Sequence, residues 1–186
     1  MIPIVLFPSV APLQECERLI HFGRENIQGL ARENVAGAHS FSLIQYGDMP
    51  VWAQAVMGIT SARIRVMLER LLWVNLYADS IQLKRWLPGE SLGWHADNAY
   101  PDGKPNYVPH RIASAVVYLT TADPKDGGAT EFRSGALILP RAGLGLAFGS
   151  GLEHVHRVRT VNTERWTMPM WFTTDKDKAL SFAREA

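Results

Sequence analysis

The period of the apolar positions changes near residue 80. From Leu13 to Asn26, Leu13, Cys16, Leu19 and Ile20 recur at the spacing of one helix face, and Ser9 or Pro12 can open that helix. Val51 to Tyr77 predicts a second helical region. Ile64, Met67, Leu68, Leu71 and Leu72 form its apolar stripe, Arg63, Arg65, Glu69 and Arg70 its wet side, and Gly58 is a candidate break. The opening run Met1 to Pro8 is apolar, short and interrupted by two prolines, which predicts a first strand. Asn34 to Gly47 mixes Gly, Ser and aromatic residues and predicts a short strand with loops.

After Asp79-Ser80 the apolar runs shorten and Pro, Gly and Asp separate them. Strands are predicted at Ile81–Trp86, Leu92–Asp97, Thr130–Arg133, Ala136–Leu139, Leu144–Phe148, His156–Val161 and Arg165–Thr173. A longer β-branched and aromatic run, Ile112–Thr121, reads as a strand buried on both faces. Two helices followed by many short strands predict an α+β fold, a β-sandwich or jelly roll braced by N-terminal helices. No repeat or low-complexity linker divides the chain. The expected organisation is one domain, 1–186, with mainly helical support in 1–80, a jelly-roll core in 81–174 and a tail in 175–186 that carries a short helix from Lys176.

Composition narrows the function. The chain has 186 residues, with 19 Lys+Arg against 18 Asp+Glu, and a net charge of +1 makes no global field for a polyanion, so no nucleic-acid partner is expected. With 47% hydrophobic and 20% charged residues it is not a disordered chain. One cysteine, Cys16, leaves no intramolecular disulfide and no Cys-rich zinc site, and its place on the first apolar stripe reads as core. Any metal therefore falls to His and carboxylate. No stretch reads as a membrane span or a signal peptide, and the expected location is cytoplasmic, with no membrane partner. Four of the six tryptophans, Trp86, Trp94, Trp166 and Trp171, fall in the strand half, where they predict an apolar wall around any site there.

Three short patterns carry chemistry. If Trp94 to Asn98 is strand, His95 and Asp97 face the same way and present an imidazole beside a carboxylate. Alone, this pair is equally a solvated loop. About 60 residues on, Glu153-His154-Val155-His156 offers a His that could complete two-His-one-carboxylate ligation, an arrangement that leaves metal positions open for a bidentate co-substrate and dioxygen. Nine residues past His156, Arg165-Trp166-Thr167 places a guanidinium and a hydroxyl on one strand face, a receptor for the far carboxylate of a dicarboxylic acid. A rim salt bridge is the plainer reading of Arg165 by itself.

Together these blocks resemble the 2-oxoglutarate- and iron(II)-dependent oxygenases of the prolyl hydroxylase type, and most closely the catalytic domain of leprecan-type prolyl 3-hydroxylases. The likeness runs from about Ile81 to Thr173. It takes in His95-Ala96-Asp97-Asn98, then Val116-Val117-Tyr118-Leu119 with Gly127-Gly128-Ala129-Thr130-Glu131-Phe132, then Pro140-Arg141-Ala142-Gly143, and finally Gly151 to Val158 and Arg165 with Met170-Trp171-Phe172-Thr173. The resemblance implies a double-stranded β-helix and an iron(II) hydroxylase that consumes 2-oxoglutarate and O2, releases succinate and CO2, and is stimulated by ascorbate. It implies His95, Asp97 and His156 as metal ligands. The family pattern His-x-Val and the interval to Arg165 select His156 over His154. Arg165 would bind 2-oxoglutarate, with Thr167 beside it. Where many relatives carry a tyrosine for the co-substrate, this chain has Trp86, whose indole can donate one bond but accept none. Core packing is an equal reading of Trp86. A carboxylate at Asp97 favours hydroxylation over the halogenation of relatives that lack one there.

The substrate is less legible. Asn98, Tyr100 and Tyr107, in the polar loop after the first motif, and His154 are candidates to touch it. An amino acid, a prolyl or peptidyl residue and a small biosynthetic intermediate are all open. Arg157 and Arg159 alternate away from His156 and are expected at the surface. Two rivals remain at this stage: a non-catalytic jelly-roll binding module, and a cupin-like metalloenzyme that does not use 2-oxoglutarate.

Overall fold

Strand alternation divides the second half of the chain between two antiparallel sheets. The structure is a computed structural model and describes residues 2–26, 32–33, 38–39 and 41–184. The strands are β1 (Val5–Phe7), β2 (Arg32–Glu33), β3 (Ala38–His39), β4 (Phe41–Gln45), β5 (Tyr77–Trp86), β6 (Ser91–His95), β7 (Arg111–Tyr118), β8 (Thr130–Phe132), β9 (Leu137–Ile138), β10 (Gly145–Gly149), β11 (His156–Val158) and β12 (Arg165–Thr173). The larger sheet runs β1-β10-β7-β12-β5-β4-β2 and the smaller β3-β6-β11-β8-β9. Helices α1 (Leu13–Asn26) and α2 (Val51–Leu72) cover one face of the larger sheet, and α3 (Ser181–Arg184) follows near the C-terminus.

Strand β12 shows how the layers are built. All nine of its residues are buried. Trp166, Met168, Met170 and Phe172 enter the core shared with Leu19, Met57, Ile64 and Leu68 of the helices. Arg165, Thr167, Pro169 and Trp171 point to the other side, into a cavity between the sheets. This is the two-residue period of a strand with both faces covered. Neighbouring β7 alternates in phase: Ala113, Ala115 and Val117 join the helix-side core, while Tyr118 packs with Phe132, Leu146 and Phe148 on the other side.

Several boundaries differ from expectation. Gly58 does not break α2, whose 22 residues run uninterrupted. A single interior glycine costs only about 1 kcal/mol, which a well-packed helix absorbs. The helix stops at Trp73, in the left-handed region, with its N–H donating to Glu69 O at 2.8 Å. The Glu69 carboxylate takes the Leu76 N–H, and β5 begins at Tyr77, four residues before the predicted Ile81. The apolar stripe of α2 has the expected period but a shifted phase. Met57, Ile64 and Leu68 are buried, whereas Met67 and Leu71 are about half exposed. The N-terminal region is more than helical support, because β1 and β4 extend the larger sheet. Of the predicted 34–47 strand, β4 is found, and residues 34–37 and 40 lie outside the described residues. The tail has a 3₁₀ turn at Lys176–Lys178 before α3, and residues 185–186 lie outside the described residues. Cys16 is buried. Among the described residues no helix is long and apolar enough to cross a membrane.

Helix α1 reaches β12 through Gly23, where a Cβ would overlap the ring of the fully buried Trp166. Gly23→Ala should therefore destabilise the protein by about 1–3 kcal/mol through overpacking, although glycine-to-alanine in an open helix stabilises. A lower urea midpoint with unchanged slope would report it.

Candidate active site

The smaller sheet brings the two histidines together. Strands β6 and β11 pair with His95 opposite His156. Their rings lie 4.2 Å apart between centroids. Strand β6 ends at His95, so Asp97 is placed by a turn and not by strand alternation. The backbone N–H groups of Asp97 and Asn98 both donate to Ser150 O, at 2.9 and 3.1 Å. The side chains still converge: His95, Asp97 and His156 each offer a ligand atom within 4.8 Å of the others, and His95 Nε2 is 3.7 Å from Asp97 Oδ1.

Both imidazoles are held in one tautomer. His95 Nδ1–H donates to Gly93 O at 2.8 Å, and His156 Nδ1–H donates to His154 O at 3.0 Å. Each Nε2 then carries its lone pair toward the cluster, the form a metal requires. Ser114 Oγ donates to Asp97 Oδ2 at 2.5 Å, which uses its one proton, so Ser150 Oγ donates to Ser114 at 2.8 Å. Burial opposes the charge on Asp97. The fields of His156 and His95, the Ser114 hydroxyl and the Trp171 indole outweigh it and hold the carboxyl below its ordinary range. Burial, with the charge of His95, pushes His156 down from 6.5 to about 4. Two imidazoles and a carboxylate are a donor set suited to a divalent transition metal.

A cation lies at the other end of the same cavity. Arg165 is only 4% exposed, and among the described residues no carboxylate pairs with it. Its Nε–H has no hydrogen-bond partner, and neither does the indole N–H of Trp86. The guanidinium carbon sits 5.4 Å from the Trp86 ring and 5.5 Å from the Tyr118 ring. Burial lowers Arg165 to about 10, which leaves it charged at neutral pH. An uncompensated buried cation with unused donors is unfavourable unless an anion joins it. Thr167 is buried beside it on the same strand face. Gly128, at φ +67, lets this arginine pass: a Cβ there would lie 2.9 Å from Arg165 Cδ.

The remaining candidates are distributed differently. Asn98 donates its side-chain N–H to Arg111 O at 2.8 Å and is absent from the cavity wall. Tyr100 and Tyr107 are exposed and off that wall. His154 supplies a carbonyl to His156, while its own ring is buried near Phe132 and Phe148, outside the ligand cluster. Arg157 and Arg159 share Glu131 on the outer side of the smaller sheet. The tryptophan wall is only half realised. Trp86 and Trp171 line the cavity, Trp166 faces the helices, and Trp94 lies outside beneath Arg133 and Arg157. Sequence reasoning missed Ser114, Tyr118 and Thr130. Ser114, Val116 and Tyr118 share one face of β7, and the Tyr118 hydroxyl donates to Thr130 Oγ1 at 2.8 Å. Their alternation was readable, but not which face met the cavity.

Comparison with known proteins follows the same lines. A family model described as the 2OG-Fe(II) oxygenase superfamily matches residues 81–173, half of the 186-residue chain. No curated protein matches. Among solved structures, the viral collagen prolyl hydroxylase of Paramecium Bursaria Chlorella virus-1, in a 2-oxoglutarate complex, superposes with a TM-score of 0.71 at 20% identity, covering 91% of this chain and 94% of that one. The Pseudomonas putida prolyl-4-hydroxylase gives 0.73 at 20% identity, with 91% of each chain covered. A Trichoplax adhaerens prolyl hydroxylase, in complex with a hypoxia inducible factor peptide fragment, gives 0.75 at 16% identity, covering 96% of this chain and 86% of that one. The shared architecture is the double-stranded β-helix.

The depressed His156 has a consequence for stability. The unfolded chain takes up this proton near 6.5 and the folded chain only near 4, so stability should fall as pH drops through that window. The contribution of Asp97, whose folded value lies below 3.8, should be lost only at still lower pH. Melting temperatures of the metal-free protein from pH 8 to 4 should show the decline, and His156→Gln should flatten it.

Proposed function

The chain belongs to the 2OG-Fe(II) oxygenase superfamily, and from that membership we propose that His95, Asp97 and His156 hold iron(II) while Arg165, Thr167 and Trp86 bind 2-oxoglutarate. The observation that carries this reading is one cavity with a three-donor cluster at one end and a buried, unpaired guanidinium at the other. Bound iron(II), with 2-oxoglutarate and O2, supplies the oxidising power for C–H hydroxylation, with succinate and CO2 as products. The protein's residues do the rest. The two Nε2 atoms and one Asp97 oxygen would hold the metal, three donors being too few to fill its coordination sphere. Arg165 fixes the distal carboxylate of the co-substrate, and Thr167 and the Trp86 N–H add hydrogen bonds to it. Tyr118 packs against the guanidinium. Val116, Phe148, Val158 and Leu92 exclude water from the reacting centre.

The substrate proposed is an amino acid, a prolyl or other peptidyl residue, or a small biosynthetic intermediate, hydroxylated at an unactivated carbon. The fold likeness to prolyl hydroxylases supports a prolyl substrate by analogy. Ascorbate is the expected stimulatory reductant, and the lone buried cysteine favours a cytoplasmic setting. A non-catalytic module or a cupin-like enzyme without 2-oxoglutarate has no use for a cation buried as Arg165 is.

Anaerobic iron(II) plus 2-oxoglutarate should give the visible charge-transfer band of the chelate, and air should then release succinate. His95→Ala and Asp97→Ala should each lower succinate release at least 100-fold; unchanged turnover would refute the ligand assignment. Arg165→Met should weaken 2-oxoglutarate on the order of 100-fold, the effect of removing one partner of a buried charge pair. It should also raise the urea midpoint of the ligand-free protein, because a buried uncompensated charge is replaced by an apolar chain.

A further inference from the structure

Asp97 follows the end of β6, so no strand ladder orients its side chain. Something else must decide which carboxylate oxygen faces the histidines. Oδ1 is the atom 3.7 Å from His95 Nε2, and Oδ2 is occupied by the Ser114 hydroxyl. The Trp171 indole N–H also stabilises this carboxylate. Trp171 sits across from Ser114 in the β12–β7 register, so both donors reach Asp97 from adjacent strands.

Trp171 is itself held from outside the cavity. The Arg111 guanidinium carbon lies 4.4 Å from its ring centroid. Arg111 Nε–H in turn donates to both oxygens of Asp79, at 2.8 and 3.2 Å, and His110 Nε2–H donates to the same carboxylate at 2.8 Å. The Asp79 side chain is only 4% exposed, which makes it a firm anchor. The Arg111 carbonyl meanwhile accepts from the side chain of Asn98, the residue after Asp97.

We propose that Asp79 and Arg111 are positioning residues that act through Trp171 to keep the Asp97 carboxylate turned so that one oxygen alone faces the metal. This rests on the reading of His95, Asp97 and His156 as metal ligands. The physical reason is competition for positions. A carboxylate that swings to offer both oxygens consumes a site the co-substrate or dioxygen needs. With Oδ2 held by the Ser114 hydroxyl, and the Trp171 indole on the adjacent strand also favouring the carboxylate in place, the swing has to give up both contacts. The indole serves only while its ring keeps its angle, and the stacked guanidinium, tethered to a buried carboxylate, maintains that angle.

The test uses the full chain with Co(II), whose visible bands report ligand number and whose affinity can be titrated without turnover. Arg111→Gln and Trp171→Phe should each weaken Co(II) about 10-fold, the usual effect of losing an outer-shell partner, and should shift the visible bands alike. The double variant should be no worse than Trp171→Phe alone, because both act along one path. Arg111→Lys, which keeps a cation over the ring, should recover part of the affinity. Asp79→Asn should behave as Arg111→Gln, with urea midpoints run in parallel to separate loss of fold. Wild-type affinity and bands in Arg111→Gln and Trp171→Phe, or fully additive effects in the double variant, would overturn the clamp while leaving the metal site standing. Co(II) binding by His95→Ala as tight as by the unaltered chain would overturn both.

Discussion

Strand β12 is buried along its whole length, and the two-residue period of a strand divides its side chains between two environments. On one side Trp166, Met168, Met170 and Phe172 fix the helices to the sheet; on the other Arg165, Thr167, Pro169 and Trp171 line the cavity. A slip of one residue would exchange these sets, placing a guanidinium in the apolar core and four large apolar side chains in the site. The many long-range pairings of β12 with β5 and β7 make that slip prohibitive. Stability and site geometry are thus two faces of one strand.

The arrangement has a cost at the cavity end. Among the described residues Arg165 is desolvated without an opposing carboxylate, and its Nε–H and the indole N–H of Trp86 lack partners. Buried polar groups of this kind are unfavourable in an isolated fold, and the surrounding core must offset them. They are favourable for capturing a dicarboxylate, because the donors are already oriented and already stripped of water. The metal end follows the opposite logic. There Gly93 O, His154 O and Ser114 each satisfy one group of the donor cluster, with Ser150 behind Ser114, so the atoms left over are those a metal would use.

Much of this was legible from residue order. Helix α1 and strand β12 have the boundaries that periodicity predicts, because capping signals and alternation are local properties. Helix α2 shows the limit. Its period was evident, but Met67 and Leu71 lie half in solvent because the sheet beneath the helix, and not the helix itself, selects the buried face. The first metal motif shows a subtler limit. His95 and Asp97 do converge, yet by a turn hung from Ser150, a residue more than 50 positions away.

What the sequence determined by itself is the set of chemical groups and their order: His95, Asp97, His156 and Arg165, on strands of a jelly roll, in a chain whose one cysteine offers no alternative metal site. Those properties depend on residue type, spacing and period, which need no partner strand. What only the tertiary structure decided is how the groups are presented. It set His95 opposite His156, fixed both tautomers, turned His154 out of the cluster, left the Trp86 N–H without a partner and joined Ser114, Trp171, Arg111 and Asp79 behind Asp97. Each of these results from strands distant in sequence pairing in one register, and no local pattern along the chain encodes which strands will meet.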